Sequence, residues 1–373
     1  MFKASLTLSK TFTINTTPTN QIGIDYGGTL TKIAYFDEEE NEFTTIHIPS
    51  NDFDGVIETI KQIPKIKKHL ISGNENTNEK QKEEIKLSMT GGGAYRYKTK
   101  FQEIFPFPIH TTNEGKCLHE GFGFVLQNVP NPTFQIGSQN QTEKIPSTFD
   151  FKQPAIISIM GTGTGFFFSD NGAFRRVGGS GLGGGSFFGL LKLLTNLTDF
   201  DQIQKIPQEE YDPINLRVKD ILGEGSEEMG LDGNLMASFF GKIATKKKEK
   251  EKKEETKKME KEIEEEEKEE KEIEEKEESE KEKEKEKEKI TENHIAFSLA
   301  QTIFSNVAQI SVLYAKQNNA KSIVFVGGLI CDKILAPEMI TNYVNYYSNN
   351  TIKSVFMKHS THLGSIGACV LKN

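Results

Sequence analysis

One arrangement occurs twice in this sequence of 373 residues and limits what the chain can fold into. In each copy, alternating apolar residues lie on both sides of a short glycine turn, which is the pattern of a β-hairpin. The first copy is Gln21–Phe36, around the pair Gly27-Gly28, and the second is Ala155–Ser169, around the glycine turn at 161–165. Each hairpin continues into a third strand and then into helices. The repeat predicts an α/β fold of two similar halves, each with three antiparallel strands leading into a mixed sheet.

The two halves are expected at residues 21–150 and 151–373, after a disordered tail at 1–20 that is rich in Ser and Thr. A Lys/Glu-rich insertion at 245–290 interrupts the second half. Residues 246–289 hold 17 Lys and 22 Glu in 44 positions and carry −5 of the formal net charge of −8. Such a run is typical of a solvated insertion, either disordered or a lone charged helix. A binding arm for a partner is the alternative interpretation.

The composition outside the insertion argues against nucleic-acid and membrane partners and against an oxidising compartment. Outside the charged insertion the chain is only mildly acidic, so neither nucleic acid nor an anionic membrane surface is expected as a partner. Three widely spaced cysteines (Cys117, Cys331 and Cys369) have no metal-ligand spacing and indicate reduced thiols in the cytosol. No apolar run approaches the roughly 20 residues that span a bilayer. The tail faintly resembles a transit peptide but has no Arg. We therefore expect a cytoplasmic protein.

The first glycine turn carries residues that suit a phosphate site. Gly27 and Gly28 at the hairpin tip would let backbone N–H groups approach phosphate oxygens, with no Cβ in the way. Asp25, at the end of an apolar strand, is placed to hold Mg²⁺ through water, because Mg²⁺ dehydrates reluctantly. Thr29 and Lys32 would add a hydroxyl and a positive charge. The alternative is a simple hairpin turn that binds no ligand, in which Asp25 has no functional role.

Further glycine runs extend this pattern. Gly161 and Gly163, in the second hairpin turn, would also offer N–H groups to anions. Gly327 begins a glycine pair at the end of a very apolar strand, where an adenosine would lie against exposed backbone. The run at 178–185 precedes an apolar helix, so a helix N-terminus would face a phosphate or carboxylate there. None of these runs matches a P-loop or a dinucleotide fingerprint. Together they predict an enzyme that uses ATP and Mg²⁺.

Seven stretches of the chain, in order, resemble the eukaryotic-type (type II) pantothenate kinases, which belong to the actin-like ATPase superfamily of sugar kinases, Hsp70 and actin. The stretches are Ile24–Lys32, Met89–Tyr95, Met160–Gly165, Arg176–Ser186, Tyr211–Pro213, Ala237–Gly241 and Val324–Gly327. The resemblance covers the chain from about Ile22 to Leu371. It implies two ribonuclease H-like halves with mixed sheets and an ATP cleft between them. It also implies phosphorylation of pantothenate to 4'-phosphopantothenate, the first step of coenzyme A biosynthesis.

The same resemblance implies that Glu114 is the catalytic carboxylate, which accepts the proton of the substrate hydroxyl. The family motif there reads Asp-Glu-Leu-Asp, and this chain has Asn113-Glu-Gly-Lys116, so the Glu is kept and both flanking acids are lost. Taken alone, Glu114 is equally a first-turn Glu favoured by the helix dipole.

The resemblance also assigns a substrate or acyl-CoA side to the site. Arg176 corresponds to the family arginine that contacts this side, and its planar guanidinium suits a carboxylate or phosphate. Thr162 matches a family serine, whereas Gly165 stands where the family has another serine. The family further implies acetyl-CoA or CoA as a feedback inhibitor, and a homodimer. The apolar face of the segment Ala296–Leu313 suits a dimer interface and suits core packing equally well.

Two other functions stay open at this point. One is a kinase for another small metabolite, such as an amino sugar, on the same fold. The other is a catalytically inactive nucleotide-binding scaffold whose Lys/Glu arm recruits a partner. Intact Asp25, Lys32 and Glu114 argue against the scaffold. Sugar kinases of this fold commonly use an Asp base, so a Glu base favours pantothenate.

Overall fold

The computed structural model describes most of the chain outside the tail and the charged insertion. The described residues are 6–7, 20–37, 42–72, 85–137, 144–171, 173–197, 212–223, 225–230, 232–245, 290–330 and 335–371. The Lys/Glu-rich tract, Tyr211 and Cys331 lie outside the described residues. The predictions made for these segments therefore stay predictions.

The first sheet has six strands, in the spatial order β1-β4-β3-β2-β5-β6. The strands β4, β3 and β2 form an antiparallel meander, and β2, β5 and β6 are parallel to one another. The bounds are β1 Leu6–Thr7, β2 Gln21–Tyr26, β3 Leu30–Asp37, β4 Glu42–Pro49, β5 Lys86–Thr90 and β6 Ile109–Thr111. The turn between β2 and β3 is the predicted glycine turn.

The second sheet repeats this pattern in seven strands, in the order β11-β10-β9-β14-β15-β7-β8. Here β11, β10 and β9 form the antiparallel meander, and β9, β14 and β15 are parallel. The bounds are β7 Thr133–Ile136, β8 Lys144–Ser147, β9 Ala155–Met160, β10 Thr164–Asp170, β11 Ala173–Ser180, β14 Ser322–Val326 and β15 Lys353–Met357. Three antiparallel strands followed by two parallel ones in each sheet confirm the predicted duplication.

The strands β7 and β8 precede residue 151 but pair at the edge of the second sheet, where β7 lies antiparallel to β15. The predicted boundary between residues 150 and 151 stays a prediction. Sequence periodicity could not have assigned these strands to either sheet, because pairing with β15 is set by contacts more than 200 residues away along the chain.

The helices follow local capping signals and apolar spacing. Asp52, for example, accepts a hydrogen bond from the Gly55 amide at 2.9 Å and so caps the helix that follows it. The helices that flank the two sheets are α1 Phe53–Lys61, α2 Pro64–Ser72, α3 Gly92–Ile104, α4 Glu114–Asn128, α5 Gly184–Leu194, α8 Glu292–Gln317, α9 Leu335–Ser348 and α10 Leu363–Val370. Of these, α1, α2, α3 and α9 were not predicted.

The helices α4 and α10 lie between the two sheets. Their apolar residues share one buried cluster with residues of both sheets, such as Phe36 and Val324. The helices cross closely at Gly121 and Gly367, where a Cβ on either residue would overlap the backbone of the other helix. This crossing fixes the first turn of each helix, and both first turns border the candidate site described below.

The chain divides into two compact units: Met1–Ser186 with Phe304–Asn373, and Phe187–Ile303. Both large sheets belong to the first unit. The second unit contains β12 Leu216–Arg217, β13 Met236–Ser238 and two short helices, α6 Val218–Leu222 and α7 Gly225–Glu228. Within it, fully buried Asn215 donates to Asp212 at 3.0 Å and to Gln301 at 2.7 Å. Asn215 also accepts from the Phe240 amide at 3.0 Å, so it links the predicted motifs at 211–213 and 237–241.

Among the described residues, one helix, Glu292–Gln317, is long and apolar enough to cross a membrane. About two-thirds of its most apolar stretch (67%) is buried inside the protein. A core helix of a water-soluble protein meets the same criteria, so the helix is weak evidence for a membrane span.

Candidate active site

A row of polar residues crosses the first sheet beside the first glycine turn. Asp25 on β2 is paired in register with Lys32 on β3, and Thr90 on β5 lies on its other side. Lys32 Nζ donates to Asp25 Oδ2 at 3.2 Å, and the Asp25 side chain is only 12% exposed. Gly91 and Gly364 lie against this carboxylate, since a Cβ on either glycine would come within 2.7 Å of an Asp25 oxygen. The sheet register and two glycines therefore hold this acid in place.

The second glycine turn is held by the backbone of its neighbours. A Cβ on Gly163 would lie 2.7 Å from the Ser180 carbonyl oxygen, so glycine is required for this approach. The first amides of helix α5 are used inside the protein, since Gly184 N donates to Gly161 O and Gly185 N donates to Thr162 O, both at 2.8 Å. These amides support the turn, whereas the sequence predicted that this helix N-terminus would face a ligand.

The third predicted glycine position lies at the end of β14. Gly327 has a φ of +121°, and a Cβ there would overlap the Met160 carbonyl. Its amide donates to Ser360 Oγ at 3.1 Å. Only glycine fits this conformation and this close approach, which places the ends of β9 and β14 side by side.

A hydroxyl pair joins the two glycine turns. Thr29 Oγ1 and Thr162 Oγ1 lie 2.9 Å apart, although the two residues are 133 positions apart in the chain. Both turns therefore face each other across the space between the sheets, and their separation is fixed by a direct hydrogen bond.

Glu114 is the first residue of helix α4. The Asn113 side chain caps this helix by accepting from the Lys116 amide at 3.2 Å. The walls around Glu114 reduce its hydration and raise the pKa of its carboxyl, and the charge of Asp25 raises the pKa further. Lys32 and Arg176 act in the opposite direction. Although the side chain is exposed to the cavity, the surrounding walls still limit its contact with water.

These residues line a single cavity of about 1110 Å³ within the first unit. Of the sequence-predicted site residues, those that line it are Asp25, Gly27, Gly28, Lys32, Glu114, Gly161, Thr162, Gly163, Gly165, Arg176 and Gly327. Thr29 is not among the lining residues and instead bonds Thr162. The structure thus brings every predicted position to one place, while the role of each remains a prediction.

The cavity also has a wall that the sequence analysis did not predict. Phe167 and Phe174 line it and stack with ring centroids 4.9 Å apart and an interplanar angle of 16°. His119 lines the same wall, 5.6 Å from Phe174. The run of three phenylalanines after the second turn was the available signal, but alternation alone did not show which of them faces the cavity.

Comparison with known protein families identifies the family of this chain. A family profile described as Fumble matches residues 21–371. The chain belongs to the Fumble family. This is the family of type II pantothenate kinases, so the resemblance predicted from the sequence is confirmed.

Several curated relatives align with most of this chain. The chain is 25% identical over 371 residues to "Pantothenate kinase" of Schizosaccharomyces pombe, which covers 95% of this chain and 82% of that protein. It is 25% identical over 373 residues to "4'-phosphopantetheine phosphatase" of Mus musculus, with 93% and 40% covered. It is 28% identical over 307 residues to "Pantothenate kinase 1" of Oryza sativa subsp. japonica, with 80% and 40% covered. The chain thus spans less than half the length of the mouse and rice relatives.

A solved structure, the activator of 2-hydroxyisocaproyl-CoA dehydratase from Clostridium difficile with bound ADPNP, is 14% identical to this chain. The comparison covers 94% of this chain and 92% of that one, with a TM-score of 0.46. At this TM-score the two structures are too dissimilar to support a conclusion about this chain. The fold assignment therefore rests on the sheet topology.

Proposed function

We propose that the chain is an ATP-dependent kinase that phosphorylates pantothenate to 4'-phosphopantothenate, the first step of coenzyme A biosynthesis. Family membership supports this, and so do the names of the fission-yeast and rice relatives. The alignment covers 82% of the fission-yeast kinase but only 40% of the mouse phosphatase, so the kinase is the better guide to this chain. The observation that carries the proposal is the cavity whose lining brings together Glu114, the Asp25–Lys32 pair and both glycine turns.

In this proposal the glycine turns bind the phosphates of ATP. The sequence predicted phosphate contacts for the amides of all four turn glycines, but those of Gly27 and Gly161 donate inside their own turns, to Leu30 O at 3.2 Å and Gly163 O at 2.8 Å. The amides of Gly28 and Gly163 would therefore face the phosphates from opposite sides, and Lys32 supplies a positive charge. Donors fixed in this way stabilise the charge that develops on the transferring phosphoryl group without having to reorganise during the reaction. The adenosine would lie near Gly327, which lines the cavity at the end of β14.

The site suits a Mg²⁺ ion that is held by one carboxylate together with water and phosphate oxygens. Among the residues that the structure describes, no group of three or more His, Cys, Asp or Glu side chains is placed to hold a metal ion. Asp25 offers a single, largely buried carboxylate beside the glycine turns. Mg²⁺ is commonly bound by one or two carboxylates together with waters and substrate phosphates. Asp25 would therefore hold it through water, and the ion would neutralise phosphate charge when bound.

Glu114 is the proposed general base. Its carboxylate would accept the proton of the primary hydroxyl of pantothenate as that oxygen forms a bond to the γ-phosphorus of ATP. The bond from the γ-phosphorus to the leaving oxygen of ADP breaks in the same step. The raised pKa of Glu114 makes its carboxylate a stronger base than that of an ordinary glutamate.

The remaining assignments concern the substrate or acyl-CoA side. Arg176 would bind a carboxylate or phosphate, and Thr162 and Gly165 would contact the same ligands. We also propose, from family membership alone, that acetyl-CoA or CoA inhibits the enzyme and that the protein is a cytoplasmic homodimer.

A substrate screen tests the proposed function. ADP release would be measured with purified protein, ATP and Mg²⁺, adding pantothenate, N-acetylglucosamine or glucose in parallel. The proposal expects release with pantothenate well above the rate without an acceptor, and no such increase with either sugar. An increase with a sugar and none with pantothenate would show a different metabolite kinase, whereas no increase with any acceptor would favour the inactive scaffold.

A further inference from the structure

The acceptor end of the cavity has an apolar surface directly beside the proposed base. A Cβ on Gly115, the residue after Glu114, would lie 3.7 Å from Cε1 of the Phe167 ring. On the other side of the ring, a Cβ on Gly165 would lie 3.2 Å from Cε2. The Phe167 ring therefore lies between the start of helix α4 and the start of strand β10, with part of it facing the cavity.

The position of this ring is fixed by the surrounding structure. It stacks on Phe174, which lies on the neighbouring strand β11. The register between the two strands shifts between Phe166 and Phe167, which is the mark of a β-bulge. The extra residue of the bulge is Val177 on β11, and bulges are common next to active sites. Phe166 is fully buried, whereas Phe167 is half-buried and lines the cavity.

An apolar ring beside the base constrains the atoms that adjoin the reacting hydroxyl. A sugar carries its ring oxygen and further hydroxyls close to its primary alcohol. Placed against Phe167, such hydroxyls would lose their water partners and gain no hydrogen bond in return. An acceptor with methyl groups on the adjacent carbon would instead bury apolar surface against the ring. Arg176, which lines the same cavity, suits a carboxylate farther along the acceptor.

We propose that Phe167 is a specificity-determining residue that selects acceptors whose primary alcohol adjoins a branched, apolar carbon, and that it disfavours polyols. This inference rests on the proposed function and adds to it the chemical reason for the choice of substrate. Pantothenate has this chemistry, since the carbon attached to its CH2OH group bears two methyl groups and its far end is a carboxylate.

The test compares pantothenate with its analogue that lacks both methyl groups. The wild-type protein should prefer pantothenate in kcat/KM by about 10–200-fold, the range typical for small apolar differences in a hydrophobic pocket. Phe167→Asn should bring the ratio close to one, mainly through loss of kcat/KM for pantothenate. Phe167→Leu, which keeps an apolar side chain, should retain most of the preference and also serves if the Asn variant does not fold. An unchanged ratio in Phe167→Asn would overturn the inference.

Phe168→Asn is the matched control, because Phe168 follows on the same strand, lies under Arg175 at 4.8 Å and does not line the cavity. Its ratio should equal that of the wild type, and a ratio that fell as far as in Phe167→Asn would contradict a specific role for Phe167. The two proposals also fail differently. Equal use of pantothenate and its analogue by the wild-type protein refutes only the role of Phe167. Phosphorylation of a sugar and not of pantothenate refutes the proposed function as well.

Discussion

The two ends of the cavity are built from different parts of the chain. At the phosphate end, backbone atoms of glycine turns form the surface, and the sheet register holds the Asp25–Lys32 pair beside them. At the acceptor end, the surface consists of side chains, chiefly those of Glu114, Phe167 and Arg176. Backbone geometry changes only when the fold changes, whereas a side chain can be replaced singly. The phosphate end is thus suited to a chemistry common to the fold, and the acceptor end to the choice of substrate.

The first prediction concerns the one acid at the phosphate end. Asp25→Asn removes the charge that pairs with Lys32 and that would hold Mg²⁺. We expect kcat to fall by about 10²–10³-fold, as for the loss of one electrostatic contact in an active site, and the Mg²⁺ requirement to rise. Asp37→Asn, at the far end of the same hairpin, is the control and should be close to wild type. Equal losses in both variants would mean that Asp25 serves only the stability of the hairpin.

The second prediction tests whether the second turn depends on backbone approach. A Cβ on Gly163 would come within 2.7 Å of the Ser180 carbonyl oxygen, whereas one on Gly161 would meet nothing closer than Gly163 O at 3.8 Å. Gly163→Ala should therefore lower the free energy of unfolding by about 1–3 kcal/mol. Gly161→Ala should change it by less than about 0.5 kcal/mol. Urea denaturation measures both, and equal destabilisation would show that the turn is less constrained than its geometry indicates.

The third prediction concerns the hydrogen bond between Thr29 and Thr162, which joins the two turns. A double-mutant cycle with Thr29→Val and Thr162→Val should give a coupling energy of about 1 kcal/mol in ATP binding, the usual net value of one hydrogen bond. The double variant would then bind ATP little worse than either single variant. Thr29→Ser keeps the hydroxyl and should behave as wild type. Strictly additive effects would mean that each hydroxyl acts separately.

The smallest expected effect is that of the charged tract. Residues 246–289 have too few apolar side chains to form part of a packed core. Deleting them should leave kcat/KM for both ATP and pantothenate within a few-fold, so that neither end of the cavity is altered. A loss of about 100-fold, equivalent to ~2.7 kcal/mol, would contradict this and show that the tract shapes the site.

The sequence predicted the phosphate end well because glycine turns between apolar strands are local signals. The strand pairs β2–β3 and β9–β10 lie on either side of the two predicted glycine turns. Helix α3 was missed because it begins at three consecutive glycines, which disfavour helix. Burial of Ala94 and Phe101 against the first sheet compensates for that start.

The acceptor end was less predictable because it depends on contacts between distant segments. Nothing in the local sequence distinguishes Glu114 from an ordinary first-turn glutamate, and only the family resemblance singled it out. The sequence analysis did not predict Gly364 or Ser360 as site residues. Both line the cavity because helix α10 and the residues just before it pack against the first sheet. The approach of Phe167 to Gly115 likewise joins segments about 50 residues apart in the chain, and alternation within one strand does not reveal it.

The proposed mechanism depends most on Glu114 as the general base, and substitution of this residue tests that role directly. Glu114→Gln keeps the shape of the side chain but cannot take a proton. Glu120 is its matched control, because it lies six residues later on the same helix and does not line the cavity. In the wild-type protein, protonation of Glu114 would remove the base at low pH. Because burial and Asp25 raise its pKa, the acid limb of kcat/KM should lie above the ordinary range for glutamate.

The decisive measurement is kcat for pantothenate phosphorylation in wild type, Glu114→Gln and Glu120→Gln, with ATP binding measured separately. We expect Glu114→Gln to lower kcat by about 10²–10⁴-fold, the usual contribution of general base catalysis, while ATP binding is unchanged. Glu120→Gln should be nearly silent. An active Glu114→Gln, with or without an inactive Glu120→Gln, would contradict the account.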